Sequence, residues 1–347
     1  MADVLSTLYA ALMLLTSVAS TCGNLLLLLV LLLNKELRSD TLGLTLSFSL
    51  SDLALGLSAI PFSVYNSLSQ PVRHSSEADV CQGGGFIFLL LQTASLHSLA
   101  WATIYRFTEI CFALSFHSIW TAGRSRAVLI AVWLFCLANA TMPLMGFGSY
   151  AYSESRFLCC PSFTPENRYF VLLWMGAGIV APILTMCSLY GYIVYVARKQ
   201  ARRGTFMCNE LHCFYVPANN YLRSSIVMVT TSVCLLVCWL PYISVCLYET
   251  LSGQQSPSVT AALSSWLVLT SAALNPWITC MTQTRYRAAV CRSFRRFVPC
   301  AGMFLESHSQ SSALHLPATN RPSTTTTTTT STTTTQPPSS PKTLTRP

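Results

Sequence analysis

Asn24, Asp52, Arg106, Glu109 and Asn275 stand inside long apolar runs, with Asn139 and small hydroxyls such as Ser95 and Ser271 beside them. An ionisable or amide group in hydrocarbon needs a partner or a task, so each of these residues is a candidate functional position. Asp52, in Leu50-Ser51-Asp52-Leu53-Ala54, has two candidate roles. It either holds a sodium ion or forms a polar lock with Asn24 and Asn275. Arg106 follows Cys81 by 25 residues. At about 1.5 Å per residue, that separation puts the two at opposite ends of one helix crossing a bilayer.

Two other patterns carry less. Cys208, His212 and Cys213 have metal-ligating side chains, but no fourth ligand stands at a suitable spacing, and no metal is expected. Asn139-Ala140-Thr141 spells a glycosylation sequon, but it falls inside an apolar run that no glycosyltransferase reaches.

The elements that must position these groups follow from composition. Of 347 residues, 52% are hydrophobic and 10% charged. The mean hydropathy is +0.48. Such a chain is too apolar for a soluble domain. Apolar runs extend over Leu5–Leu33, Leu42–Asn66, Phe86–Leu114, Ala127–Phe147, Tyr169–Ala197, Ser225–Tyr248 and Val259–Thr282. Each meets the roughly 20 residues that a membrane-spanning helix needs. The fold class is therefore an all-α membrane protein, a seven-transmembrane helix bundle with a short amphipathic cytoplasmic helix over about residues 284–297.

The net charge of +9 reflects orientation rather than nucleic-acid binding. Lys35, Arg38, Arg124, Arg126, Arg198, Lys199, Arg202, Arg203 and Arg223 occupy one set of connections, and Arg285, Arg287, Arg292, Arg295 and Arg296 follow the last run. The other side has Arg73, Arg156 and Arg168. Positive loops stay in the cytoplasm, so the N-terminus is expected outside and the C-terminus inside, in the plasma membrane. The receptor domain is expected over residues 1–298. Residues 299–347, rich in Thr, Ser and Pro, are expected to be a disordered cytoplasmic tail. That tail is either an idle repeat or a phosphorylation substrate that recruits a regulatory partner such as arrestin.

Most of the 15 cysteines lie in apolar runs, where a thiol behaves as a small hydrophobe. Cys81 and the adjacent Cys159 and Cys160 stand at the expected extracellular boundary, so one disulfide is expected there. Pro143, Pro182, Pro241 and Pro276 interrupt apolar runs, where a missing N–H produces a kink. Trp239 precedes the bend at Pro241 by two residues. Cys291 and Cys300, beside the amphipathic helix, are candidate palmitoylation sites.

Together these motifs resemble the rhodopsin-like (class A) G-protein-coupled receptors from about Cys22 to Arg296. Gly23-Asn24, Leu50-Ser51-Asp52-Leu53-Ala54, Cys81 with Arg106, Trp133, Pro182 with Tyr190, Cys238-Trp239-Leu240-Pro241 and Asn275-Pro276 stand in order, one set per run. Within that family the chain looks most like retinochrome-, peropsin- and neuropsin-like opsins. The stretch from Pro143 to Tyr150 with Glu154, the sequence Trp239-x-Pro241-Tyr242, and Ser271-Ala272 with Arg285-Tyr286-Arg287 carry that likeness.

The resemblance implies that Cys160 pairs with Cys81. It implies that Phe88, Gln92, Trp174, Trp239, Tyr242 and Leu269 either line a ligand pocket or close into a ligand-free core, and it implies a switch of Arg106, Tyr190, Pro241, Asn275 and Pro276. The polar core or sodium site would comprise Asn24, Asp52, Ser95 and Ser271. The retinal-linking lysine would stand seven residues before Pro276, where this chain has Leu269, so no Schiff base is expected. Glu154, at the position of a loop counter-ion, then has no Schiff base to balance. Tyr105 replaces the acid expected before Arg106, a loss that favours basal activity by removing an ion pair of the resting state, and Thr279 replaces the tyrosine expected after Asn275-Pro276, a loss that opposes it by removing a contact of the active state.

The implied activity is transduction of an apolar ligand signal, or basal activity, to heterotrimeric G proteins, with membrane lipids as further partners and no cofactor. The basic third inner connection would border the G-protein groove. An amine ligand would require a carboxylate where Phe88 sits. The alternative is a non-signalling retinoid-binding or photoisomerase-like relative. A transporter is disfavoured because the two halves show no repeat.

Overall fold

A computed structural model describes residues 2–34, 37, 42–68, 77–112, 114–203, 206–209, 212–215, 218–282 and 284–297. The expected tail, its arrestin partner and Cys300 lie outside the described residues. The compact unit runs from Met1 to Arg296.

The helices are α1 (Ala2–Leu33), α2 (Leu42–Leu57), α3 (Ala59–Leu68), α4 (Glu77–Cys111), the single turn α5 (Phe116–Ile119) and α6 (Ala122–Thr141). A hairpin, β1 (Tyr150–Ser153) and β2 (Leu158–Pro161), precedes α7 (Arg168–Leu173), a π-helical stretch over Trp174–Val180, and α8 (Ala181–Arg203). A second hairpin, β3 (Phe206–Asn209) and β4 (His212–Tyr215), leads to α9 (Ala218–Ser252), α10 (Ser258–Thr282) and α11 (Thr284–Phe297). Among the described residues, seven stretches are long and apolar enough to span a bilayer: Ser6–Leu33, Leu42–Leu68, Val80–Cys111, Ala122–Thr141, Pro165–Val196, Val229–Ser252 and Ser258–Cys280. The bundle exposes large apolar side chains such as Leu15, Leu57 and Leu134. Apolar patches on that scale belong against lipid.

Proline placement explains the breaks. Pro61 lacks the N–H that would bond the carbonyl of Leu57, and the second span divides at Ser58 into α2 and α3. Pro143, expected to kink the fourth span, instead ends it. The helix stops at Thr141, and Pro143 opens a 3₁₀ turn that closes at Gly146 with φ of 89°. Pro182 follows the π-helical stretch, whose widened turn accommodates the missing donor. Pro241 and Pro276 lie inside continuous helices.

Close packing of the first and seventh spans depends on Gly23, where an added Cβ would come 2.8 Å from the Pro276 ring. Tyr286, Ala289 and Val290 bring one face of α11 against Leu27, Leu31 and Phe48. The spacing of those three residues is the helical i, i+3, i+4 stripe.

The first hairpin corrects the expected disulfide. Cys81 bonds Cys159, not Cys160. Successive residues of a strand point to opposite faces, so the two adjacent cysteines of β2 cannot serve the same partner. Cys159 turns to the start of α4, and Cys160 turns inward to a buried cluster with Tyr9, Phe88 and Leu269.

Candidate functional site

Trp174, Trp239 and Tyr242 are buried in one apolar cluster with Phe170, Cys238 and Cys246. Phe88 and Leu269 are buried in an adjoining cluster with Tyr9, Leu158 and Cys160. Phe163, which follows the first hairpin, packs on both clusters and joins them. Its ring centroid lies 6.2 Å from that of Tyr242 and 6.5 Å from that of Trp174. The side chains expected to line a ligand pocket therefore come together, but the chain itself supplies much of what they surround. The Trp174 indole donates to Thr93 Oγ1 at 3.3 Å. Gln92 is buried too, with its Oε1 unpartnered among the described residues.

Beside this cluster stands a group that the sequence reading passed over. Arg156, in the turn of the first hairpin, is only 3% exposed, and its Nη2 donates to Glu249 Oε2 at 2.6 Å. Glu249, in the last turns of α9, is 5% exposed. Its other oxygen accepts from the backbone N–H of Ser256 at 3.2 Å. The guanidinium also lies 4.8 Å from the Phe163 ring centre and 3.8 Å from Cys246 Sγ. Burial opposes the charged form of Arg156, and the Glu249 carboxylate in contact with it holds the guanidinium charged. Burial also pushes the Cys160 thiol up to about 11, so it stays protonated near neutrality.

One signal for this pair was readable. Trp239, Tyr242, Cys246 and Glu249 fall at i, i+3, i+7 and i+10, a single helix face, so a carboxylate continues the stripe that begins at Trp239. Arg156 gave no such signal. It reads as one more charge in an external loop.

A polar core crosses the middle of the bundle. Asn275 Nδ2 donates to Asp52 Oδ2 at 2.7 Å, and Ser95 also hydrogen-bonds the Asp52 carboxylate. Ser20 donates to the Asp52 carbonyl at 3.0 Å, and Asn24 Nδ2 donates to the carbonyls of Ser20 and Ala272 at 2.9 and 3.1 Å. Ser271, expected in the same group, donates instead to Val268 of its own helix at 2.6 Å. Replacing Asp52 by alanine strands the buried Asn275 amide. We expect Asp52→Ala to lose about 1–3 kcal/mol, read as a lower melting temperature of the purified protein, and Asp52→Asn, which keeps an acceptor, to lose less.

At the opposite end of α4 from the disulfide, Arg106 is half-buried and makes no hydrogen bond or ion pair among the described residues. Tyr105, in place of an acid, packs edge-on to Phe116 at 5.0 Å and against Trp120 at 5.2 Å. Tyr190 shares a hydrogen bond with Thr103 at 3.1 Å. A cavity of about 20 Å³, bordered by Tyr190, Leu235, Cys238, Ser271 and Asn275, is of the size that admits one water.

This arrangement is one bundle with an aromatic interior, a polar mid-section and, at one end, a half-buried arginine with no acidic partner among the described residues, and its sequence matches the model of the 7 transmembrane receptor (rhodopsin family) over residues 23–278. The chain belongs to that family. Members of the family are signalling receptors, not enzymes. The receptor is 26% identical to the human histamine H2 receptor over 273 residues, covering 78% of this chain and 74% of that one. It is 25% identical to the dog histamine H2 receptor over 276 residues, 79% and 75% of the two chains. The mouse G-protein coupled receptor 161 is 26% identical over 286 residues, 74% of the receptor and 51% of that chain. Of the two lipidation candidates, Cys291 is exposed on α11.

Proposed function

We propose that this receptor signals to heterotrimeric G proteins with substantial basal activity, from the plasma membrane, with the disulfide end outside and the Arg106 end in the cytoplasm. The observation that carries this reading is Arg106 itself. It stands half-buried among the inner helix ends with no acidic partner among the described residues. An ion pair at that place would add a term favouring the closed packing. Coupling terms of about 1–3 kcal/mol shift such equilibria by 5- to 150-fold, so its loss raises the fraction that opens spontaneously. Outward movement of α9 about the bend at Pro241 then exposes Arg106, Tyr190 and the basic Arg198 and Lys199 to an amphipathic helix of the partner.

The test is G-protein activation in membranes containing the receptor and no added ligand. We expect nucleotide exchange above that of receptor-free membranes, at least a tenfold loss of the increment in Arg106→Ala, and unchanged surface expression. Absence of exchange would leave only the fold.

The interior around Phe88 does not suit histamine. An amine needs a carboxylate at the position of Phe88, and that residue is buried among apolar neighbours. The interior of Phe88, Trp174, Trp239, Tyr242 and Leu269 favours an apolar modulator, in keeping with opsin-like descent. A second reading, non-covalent retinoid binding without signalling, is supported by the same lining. Incubation with retinal is expected to give no hydroxylamine-sensitive, red-shifted band, because Leu269 supplies no amine.

A further inference from the structure

The geometry around Glu249 points to a guanidinium-binding site at the disulfide end of the bundle, and we propose that Arg156 is its ligand in cis. The inference goes beyond the signalling reading and does not depend on it.

Four groups recognise the guanidinium as a planar cation rather than as a point charge. Glu249 Oε2 accepts from Nη2 at 2.6 Å, Ser153 Oγ accepts from Nη1 at 3.3 Å, Cys246 Sγ lies 3.8 Å from Nη2, and the Phe163 ring lies 4.8 Å from the guanidinium carbon. Separate acceptors for Nη1 and Nη2, with an aromatic ring beside the guanidinium carbon, suit a planar, delocalised and weakly hydrated cation better than a compact ammonium. The Nε–H is buried without a partner among the described residues.

The way Arg156 reaches the site is that of an inserted group rather than of a helix-to-helix ion pair. It comes from a loop turn 93 residues away in sequence from Glu249. The next residue, Phe157, has φ of 52°, the one non-glycine residue with positive φ among the described residues. For a bulky side chain that conformation costs about 1–2 kcal/mol. The first span holds the turn in place. Tyr9 Oη donates to the Arg156 carbonyl at 3.1 Å, and the Tyr9 ring lies 5.1 Å from that of Phe157. Asn66 Nδ2 donates to the Phe157 carbonyl at 3.4 Å. The bundle thus bends the hairpin turn inward and receives its guanidinium between Phe163 and the face of α9 that carries Tyr242, Cys246 and Glu249. A molecule that displaces the loop leaves Glu249 buried without its counter-charge unless it brings a cation of its own, and the separate acceptors favour a guanidinium.

The experiment is replacement of the tethered ligand by a free one. Purified Arg156→Ala receptor in nanodiscs is titrated with ethylguanidinium or ethylammonium at millimolar concentration, and the melting temperature is read, so no signalling step enters. We expect the variant to melt below the unmodified receptor, and ethylguanidinium to raise it saturably by about 2–4 °C or more. Ethylammonium should raise it less, and ethylguanidinium should move neither the unmodified receptor nor Arg156→Ala/Glu249→Gln. If Arg156→Ala does not reach the cell surface, receptor number at the surface is counted in cells grown with and without ethylguanidinium. Recovery that the second substitution Glu249→Gln abolishes supports the site. No saturable effect in either assay, an equal effect of ethylammonium, or an effect that persists in the double variant overturns the proposal.

Discussion

Replacing Cys159 by serine is expected to lower the melting temperature of the receptor by about 5–15 °C, and replacing Cys160 by alanine to lower it by less than about 4 °C. The bond from Cys81 to Cys159 closes a sequence separation of 78 residues. Restricting a loop of that size in the unfolded chain is worth about 4 kcal/mol for a free chain, and less for one whose helices stay inserted, so about 2–4 kcal/mol is the expected range. Cys160 contributes only the packing of a buried thiol against Phe88 and Leu269. A thermodynamic cycle checks the pairing. Cys81→Ser, Cys159→Ser and their double should fall together, because the second substitution removes a bond already absent. A Cys81→Ser/Cys160→Ala double should show the two effects added. If Cys160→Ala matched Cys81→Ser and Cys159→Ser were mild, the assignment would move back to Cys160.

That reversal shows where sequence reasoning reached its limit. Period and hydropathy placed Cys81 and the Cys159-Cys160 pair at one boundary but could not choose between adjacent cysteines, because the choice depends on which face of β2 looks at α4. The seven spans themselves were legible, since long apolar runs offer hardly any alternative to a helix in lipid. Their ends shifted for local reasons. The third span begins at Val80 rather than Phe86, because Gln82 and Gly83 to Gly85 depress the hydropathy while the helix continues to the disulfide. Gly85 is required there, since an added Cβ would lie 2.5 Å from the Tyr150 ring of the hairpin. The sixth span runs to Ser252 past Glu249, and a charge at that position reads as the end of a helix until its partner is known. The bond from Asn275 to Asp52 was legible as an alternative, because both are polar groups at mid-span with nothing else to meet. The pairing of Arg156 with Glu249 was not, because a loop arginine has no periodicity that could point inward.

Removing one partner of that pair is expected to destabilise the receptor more than any other single change. Glu249→Ala leaves the Arg156 guanidinium, 3% exposed, buried without its counter-charge. Breaking a buried pair in this way costs about 3–5 kcal/mol, against roughly 0–1 for an exposed one. A joint replacement, Arg156→Met with Glu249→Leu, removes both charges and fills similar volume with apolar atoms. Its expected stability lies within about 1–2 kcal/mol of the unmodified receptor, on either side, because two desolvation penalties disappear with the attraction. Melting curves of the two singles and the double in one detergent measure the cycle, and the expected coupling is at least about 2 kcal/mol. Glu249 has a second tie, to the N–H of Ser256 at 3.2 Å. If the double lost as much as Glu249→Ala alone, the carboxylate would be acting through that N–H, anchoring the connection between α9 and α10, and the charge of Arg156 would be incidental. A double that recovers stability places the energy in the ion pair, and with it the contact between the first hairpin and the helix that carries Trp239 and Pro241.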